Sequence, residues 1–372
     1  MPRIVHVVGA RPNFVKIAPI MAALRQHDGV DQRLVHTGQH HDRRLADALF
    51  EDLGLPAPDH DLRVGSGTHA EQTAAVMVRL EPVLVDERPD LVVVVGDVNS
   101  TVAAALVAAK RGLPVAHVEA GLRSFDRSMP EEINRIVTDQ LSTILLAPTD
   151  DAAANLRGEG RPAAAITVVG NVMIDALLAH RAGLRWPSVD DGLDLGERGY
   201  LVLTLHRPAN VDDPARLTAI LARVADAAAD LPVVFPVHPR TGRLLAGGAC
   251  RIPPGVRPIE PLGYRRFLAL MDHAASVITD SGGIQEETTA LGVPCFTVRD
   301  TTEWPRTVSG GTNTLVGADA VRLAAAMAEL RAGRHKRPTA GLEDGRASVR
   351  IAGVLARFLG VAPRTSDSLT AV

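Results

Sequence analysis

Residues 274–287 read AASVITDSGGIQEE, and how this stretch is read decides the fold. The apolar run Ala274–Thr279 is a buried strand by pattern. Asp280-Ser281-Gly282-Gly283 makes a tight turn, and Glu286–Gly292 reads as a short helix closed by its C-terminal glycine. A strand, a glycine turn and a helix start form a ready anion site. N–H groups there lack intrahelical partners, the helix dipole adds partial positive charge, and glycine lets a phosphate approach the backbone. The acidic pair Glu286-Glu287, one turn in, suits ribose hydroxyls rather than phosphate. A plain βα turn whose acidic first turn merely complements the dipole is the other reading, and the octapeptide alone supports both.

The same unit recurs along the chain. Ile4–Val8, Leu34–His36, Leu91–Val95, Val115–Val118 and Ile144–Leu146 are strand-like. Phe14–Gln26, Asp42–Leu53, Ala70–Asp86 and Thr101–Arg111 are amphipathic stretches between them. A second series runs Tyr200–Thr204, Val233–Pro236, Ala275–Thr279 and Cys295–Val298. Alternating strands and helices predict parallel sheets covered on both faces. The class is therefore α/β, with two doubly wound domains joined near Gly170. The expected division is 1–170, 171–344, and 345–372. In the last, a helix over Gly345–Leu359 packs back on the first domain and the Ser/Thr-rich tail frays. Arg181–Gly199 and Gly333–Glu343 read as loops.

Composition narrows the function. The chain has 372 residues, 46% hydrophobic but only 3% aromatic, so its cores are built from Val, Leu, Ile and Ala. A formal net charge of −3 and a single short basic cluster, Arg334-His335-Lys336-Arg337, argue against nucleic-acid binding. Phosphate recognition must be local. The two cysteines, Cys250 and Cys295, have no metal or redox spacing and suit a reducing cytoplasm. The chain opens directly on a strand-like run, which reads as no signal peptide, and no apolar run approaches the ~20 residues of a membrane helix.

Functional residues in such sheets sit at the carboxyl ends of strands. After the first strand comes GARPNFVK, with Arg11 and Lys16 able to face a phosphate; two solvated cations on a glycine turn is the plainer reading. After the second comes TGQHHD, where adjacent histidines do not converge on one metal ion. GDVNST and EAGLR follow neighbouring strands and place Asp97 and Glu119 just off strand ends. MPEEINR opens a helix with Glu131 and Glu132 in its first turn. Each acid alone is a cap. Together, Asp97, Glu119 and Glu131 could share a pocket, where like charges and burial would suit one of them to proton transfer. In the second half, LHRPAN places His206 and Arg207, and PVHPR places His238 and Arg240, at further strand ends; RDTTEWP and SGGTN follow the next strands.

The motifs GARPNFVKIAPI, TGQHHD, VVGDVNST, HVEAGLRSFDRSMPEEINR, GNVMIDAL, LHRPAN, PVHPR, TDSGGIQEE and RDTTEWP occur in that order over nearly all of residues 3–317. In this the sequence resembles the non-hydrolysing UDP-N-acetylglucosamine 2-epimerase family. The resemblance implies a GT-B fold, two Rossmann-like domains facing a cleft. It implies a cytoplasmic homodimer that interconverts UDP-GlcNAc and UDP-ManNAc with no metal and no cofactor. It places catalytic roles on Asp97, Glu119, Glu131 and His206. It places substrate contacts on Arg11, Lys16, Ser281, Gly282, Gly283 and Glu287; Asp280 and Glu286 read as structural. A hydrolysing epimerase releasing ManNAc, or an epimerase of a modified UDP-amino sugar, stands as the alternative. Asn13 occupies a position where the family commonly has Glu, Val95 one where it often has His, and Pro208-Ala209 replaces a more polar pair. His41-Asp42 and Gly65–Thr68 depart from the loop beside which some members bind a second UDP-GlcNAc, so activation by that ligand is not expected.

Overall fold

The computed structural model describes residues 1–38, 50, 52–181, 183–184, 195–237, 239–248, 250–317, 319–339 and 344–362, with backbone alone for Arg11, Pro208, Pro239, Arg240, Arg243 and Ala246. Gln39 to Asp42, most of the expected helix 42–53, His238, and parts of the loops and tail named above lie outside these residues.

The chain divides into two compact units, 1–178 with 342–372, and 179–341. In the first, β1 (Arg3–Val8), α1 (Arg11–Leu24), β2 (Asp31–His36), β3 (His60–Asp61), α2 (His69–Glu87), β4 (Leu91–Val95), α3 (Asn99–Lys110), β5 (Val115–Val118), α4 (Pro130–Leu141), β6 (Ile144–Ala147), α5 (Asp150–Gly158), β7 (Ile166–Val168) and α6 (Val172–Arg181) follow one another. Helix α6 begins within the first unit, so the division falls after Leu178 rather than at 170.

The second unit runs β8 (Leu201–Thr204), α7 (Pro208–Val211), α8 (Pro214–Ala228), β9 (Val233–Pro236), α9 (Pro239–Ala246), β10 (Val256–Ile259), α10 (Tyr264–Asp272), β11 (Ser276–Thr279), α11 (Gly282–Leu291), β12 (Cys295–Thr297), α12 (Pro305–Ser309), β13 (Asn313–Leu315) and α13 (Ala320–Arg331). Helix α14 (Ala347–Phe358) returns to the first unit and packs on α1. Its start is fixed by Asp175, whose carboxylate accepts from the Ala347 and Ser348 N–H groups at 3.1 and 2.6 Å.

Strand order is β3-β2-β1-β4-β5-β6-β7 in one sheet and β10-β9-β8-β11-β12-β13 in the other, every recorded pairing being parallel. The chain first moves outward from β1, then returns to pair β4 on the other side; β8 and β11 repeat the manoeuvre. These are the topological switch points, where loops from adjacent strands diverge and leave room for a ligand. The all-apolar β4, LVVVV, is buried throughout, as a central strand covered on both faces requires. Strands β3, β7, β10 and β13 were not among the sequence candidates. They are two to four residues long and lie toward the sheet edges, where the apolar run that marks a strand is short or mixed.

Two glycines are demanded by packing at the first switch point. A Cβ on Gly9 would lie 2.1 Å from Ser100 Oγ and 2.6 Å from Thr37 Oγ1, two hydroxyls hydrogen-bonded to each other at 2.7 Å. Gly121 has φ +83°, and a Cβ there would lie 2.2 Å from the Ala152 carbonyl oxygen.

Candidate active site

In the first unit the polar groups collect at the carboxyl ends of β1, β4 and β5. Asn13 is buried and fully engaged. Its Oδ1 accepts from the Ala10 N–H at 3.0 Å and, more loosely, from Gly9 at 3.3 Å, and its Nδ2 donates to the Val95 carbonyl at 2.9 Å. A carboxylate in place of this amide could not make the last bond. The departure at position 13 thus ties the β1 loop to the end of β4. One turn later on α1, Lys16 Nζ donates to Glu119 Oε2 at 2.5 Å, in a pair whose side chains are 12% and 5% exposed. Glu119 follows β5 with φ +69°, a left-handed conformation unusual for a side-chain-bearing residue and one that recurs at functional turns. Its other oxygen, Oε1, is buried with no hydrogen-bond partner among the described residues.

Asp97 stands two residues beyond β4, its side chain 34% exposed, in an ion pair with Arg135 of α4. Arg135 is buried and also donates from Nε and Nη2 to Glu132 Oε2 at 3.0 and 2.7 Å. Glu132 further accepts from the N–H groups of Ser124 and Phe125 at 3.0 and 2.9 Å. Burial would push the Glu132 carboxyl up, but these donors and the guanidinium hold it below its ordinary range. Glu131, half-buried in the same first turn, shows no side-chain hydrogen bond or ion pair among the described residues. Of two adjacent glutamates, then, Glu132 is committed to structure and Glu131 is available. Gly96 draws these groups together. At φ +69° it packs so that a Cβ would lie 3.4 Å from Asn13 Nδ2, 3.5 Å from Lys16 Nζ and 3.6 Å from Glu119 Oε2. Arg11 is the first residue of α1, and its side chain lies outside the described residues.

In the second unit the helix after β11 begins at Gly282, not Glu286 as expected. Ser281 is its N-cap and makes no side-chain capping bond, so Gly282 and Gly283 are the first helical residues rather than a turn before the helix. The correction strengthens the anion-site reading, because first-turn N–H groups point along the axis away from the helix. Glu303 abuts this end. Its Oε1 would lie 2.2 Å from a Cβ on Gly282, while Arg299 Nη2 pairs with Oε2 at 2.7 Å. Arg207 Nε donates to the Asp280 carbonyl at 3.1 Å, placing a second guanidinium beside the same end.

Asp280 was expected to be structural, and it does hold the β8 loop. It accepts from the His206 N–H at 3.1 Å, the Arg207 N–H at 3.0 Å and Asn210 Nδ2 at 3.0 Å. It also pairs with His206 Nδ1 at 2.8 Å. That contact fixes the ring of a half-exposed histidine, its side chain 47% exposed, and leaves Nε2 for a ligand. Asp280 thus carries an orienting role that its position between strand and turn did not announce. Glu287 is buried and accepts from the Tyr264 hydroxyl at 3.2 Å, which pins it one turn inside α11.

The buried carboxyl of Asp280 would be raised by desolvation, but hydrogen bonds and charge from His206, with Asn210 and the Arg207 N–H, hold it below its ordinary range. A carboxyl with a depressed folded-state pKa stabilises the fold above its unfolded pKa, and that contribution is lost as pH falls through the folded value. Asp280→Asn is therefore expected to lower urea-unfolding stability at pH 7 and to flatten its decline below about pH 4. A variant with parental stability and parental pH slope would refute this account.

Among the described residues no cluster of histidine, cysteine and acidic side chains could hold a metal ion, and both cysteines are buried and unpaired.

The UDP-N-acetylglucosamine 2-epimerase family matches residues 22–356 of this sequence. The chain belongs to the UDP-N-acetylglucosamine 2-epimerase family. Within it, a UDP-2,3-diacetamido-2,3-dideoxy-D-glucuronate 2-epimerase of Pseudomonas aeruginosa is 43% identical over 319 residues, 85% of this chain and 88% of that one. A UDP-N-acetylglucosamine 2-epimerase of Methanocaldococcus jannaschii is 41% identical over 365 residues, 94% and 97% of the two chains. The crystal structure of the M. jannaschii UDP-GlcNAc 2-epimerase in complex with UDP-GlcNAc and UDP superimposes with a TM-score of 0.88, over 95% of this chain and 99% of that one. The match covers 88–99% of these relatives, and the two Rossmann-like parallel sheets are a GT-B-type architecture.

Proposed function

We propose that this family member is a non-hydrolysing UDP-N-acetylglucosamine 2-epimerase that interconverts UDP-GlcNAc and UDP-ManNAc. The observation that carries the reading is the Lys16–Glu119 pair at the first switch point, with Glu119 Oε1 buried and without a hydrogen-bond partner among the described residues. Nucleotide binding by a family member does not call for carboxylates there; proton transfer does.

The C2 hydrogen of the sugar is not acidic, because no carbonyl is attached to C2. Its removal must be coupled to loss of UDP from C1. A carboxylate takes the C2 proton, the C2–H electron pair forms the C1–C2 double bond, and the C1–O bond breaks to release UDP. The pair is then 2-acetamidoglucal and UDP. Return of UDP to C1, with a proton delivered to the opposite face of C2, gives the epimer. Two proton-transfer groups are needed, and Asp97, Glu119 and Glu131 are assigned to this work, with Lys16 holding Glu119. The second unit is assigned the leaving group. The α11 N-terminus at Ser281, Gly282 and Gly283, with His206, stabilises the diphosphate charge as it develops, and Glu287 takes the ribose. No metal or redox cofactor enters this sequence of steps.

The reading is tested with UDP-GlcNAc in deuterium oxide. The expected result is deuterium at C2 in both UDP-sugars, with UDP-ManNAc formed and no free sugar. Free ManNAc plus UDP would mark a hydrolysing enzyme, and no exchange would end the reading altogether. The 43% identity to an epimerase of a diacetamido glucuronate supports a second reading, in which the sugar carries substituents beyond the 2-acetamido group. The same experiment with such a substrate separates the two.

The assembly is assigned as a homodimer and the compartment as the cytoplasm. Apolar Val78 and Val85 of α2 and Ile133 of α4 are exposed, and Met77 and Ile133 line part of a cavity of about 410 Å³. Such a face is suited to a second copy. Among the described residues no helix is long and apolar enough to cross a membrane.

A further inference from the structure

The HVEAGLR stretch contains a histidine that the proposed chemistry does not use. His117 lies in β5, wholly buried. Its Nδ1 is 2.7 Å from Asp139 Oδ1, and its Nε2 is 2.9 Å from the Gly96 carbonyl oxygen. Both neighbours are acceptors. A carbonyl has no proton to give, and the other oxygen of the Asp139 carboxyl faces a guanidinium and a backbone N–H, which favour the ionised form. Asp139 Oδ2 also accepts from the Gly121 N–H at 3.0 Å and pairs with Arg123 Nη2 at 2.7 Å.

A neutral imidazole has one N–H. Either tautomer would aim a nitrogen lone pair at an oxygen lone pair in a site without solvent, which is a buried unsatisfied pair of acceptors. The doubly protonated ring satisfies both. Arg123 also pairs with Glu159 at 2.6 Å, whose side chain is 30% exposed and lies on the solvent side of the cluster. The other charged groups near this peptide, Lys16 and Glu119, lie across Gly96 and are already paired with each other.

We propose that His117 is a fixed imidazolium whose Nε2–H clamps the Gly96 carbonyl and thereby positions Asp97 for proton transfer. Gly96 is the hinge at φ +69° between β4 and Asp97. The Asn134 side chain donates to the next carbonyl, that of Asp97, at 2.9 Å. Two consecutive carbonyls are thus held by side chains, and with Arg135 on its carboxylate Asp97 is constrained from both ends. His117 is a positioning residue, because it touches Asp97 only through the peptide. Strand β5 thereby supplies a reactive carboxylate, Glu119, and two residues earlier the cation that aligns a second on β4. The kinetic part of this inference rests on the epimerase reading; the protonation state does not.

The decisive measurement is ring-¹⁵N-histidine NMR on the full-length protein, with the His117 signals assigned by through-space contact with the Gly96–Asp97 peptide. Each ring nitrogen is expected to carry a proton, one directed at each acceptor, whereas a neutral imidazole carries only one. An unprotonated ring nitrogen at neutral pH overturns the proposal. In parallel, His117→Gln, which keeps a donor but loses the cation, is expected to reduce the rate of C2 deuterium exchange by at least about tenfold while UDP affinity stays within about twofold, a loss typical of a misaligned proton-transfer group. An unchanged exchange rate also overturns it. If the unsubstituted protein shows no exchange at all, the epimerase reading fails while the NMR result still decides the state of His117.

Discussion

Asp97→Asn is expected to abolish deuterium incorporation at C2 of UDP-GlcNAc, with a fall of about 10²–10⁴-fold in exchange rate, the range associated with losing a positioned proton-transfer group. The amide is nearly isosteric but cannot accept a proton at neutral pH. The substitution removes one partner of Arg135, yet Arg135 keeps its two donations to Glu132, so no buried guanidinium is left unpaired. The fold should therefore survive. UDP affinity, measured by calorimetry, should stay within about twofold, because the groups assigned to UDP belong almost entirely to the other compact unit. Loss of UDP binding together with lost exchange would show that Asp97 acts structurally. Retained exchange would remove it from the mechanism and leave Glu119 and Glu131 as the pair.

Gly282→Ala is expected to have the converse signature. A methyl group at the first position of α11 would stand 2.2 Å from Glu303 Oε1. Glu303 cannot withdraw freely, since it is buried and paired with Arg299 at 2.7 Å. Relieving the clash would displace the first turn, whose N–H groups are assigned to the diphosphate. Losing one or two charge-assisted hydrogen bonds at about 1.5–3 kcal/mol each corresponds to a ~10- to 10⁴-fold weaker UDP complex. The carboxylates of the first unit are untouched, so exchange at saturating UDP-GlcNAc should recover a substantial part of the parental rate. The substitution is thus expected to raise KM more than it lowers kcat. Parental UDP affinity would show that the diphosphate does not use this helix end.

Much of this architecture was legible in the residues. Apolar runs of four or five residues, alternating with amphipathic stretches, announced the central strands, since a strand buried on both faces has no polar period to disguise it. Edge strands such as His60–Asp61 carried no such signal. The rule that polar residues at carboxyl ends of strands are functional selected Lys16, Asp97, Glu119, His206 and the Ser-Gly-Gly stretch. Their partners were not selected. Arg135 sat in the EEINR motif at helical spacing from Glu132, which was a usable sign of an ion pair. Its second partner, Asp97, is 38 positions away and on another element. Asp280 reads as structural in the sequence, and its bond to His206, which spans 74 positions, has no local signal. His117 read as one more apolar-strand residue, and nothing local in the sequence showed acceptors at both ring nitrogens.

The sequence by itself determined which residues lie at strand ends, because that depends only on local pattern and on the step from strand to helix. The tertiary structure decided which strand ends meet. β1 pairs with β4 and β8 with β11 across roughly 70 to 90 residues of intervening chain. Those pairings, made by long-range burial rather than local propensity, place Lys16 on Glu119, Arg135 on Asp97 and His206 on Asp280. They also show that Ser281, Gly282 and Gly283 are the start of a helix rather than a turn preceding one, since helical hydrogen bonding, not composition, sets where α11 begins.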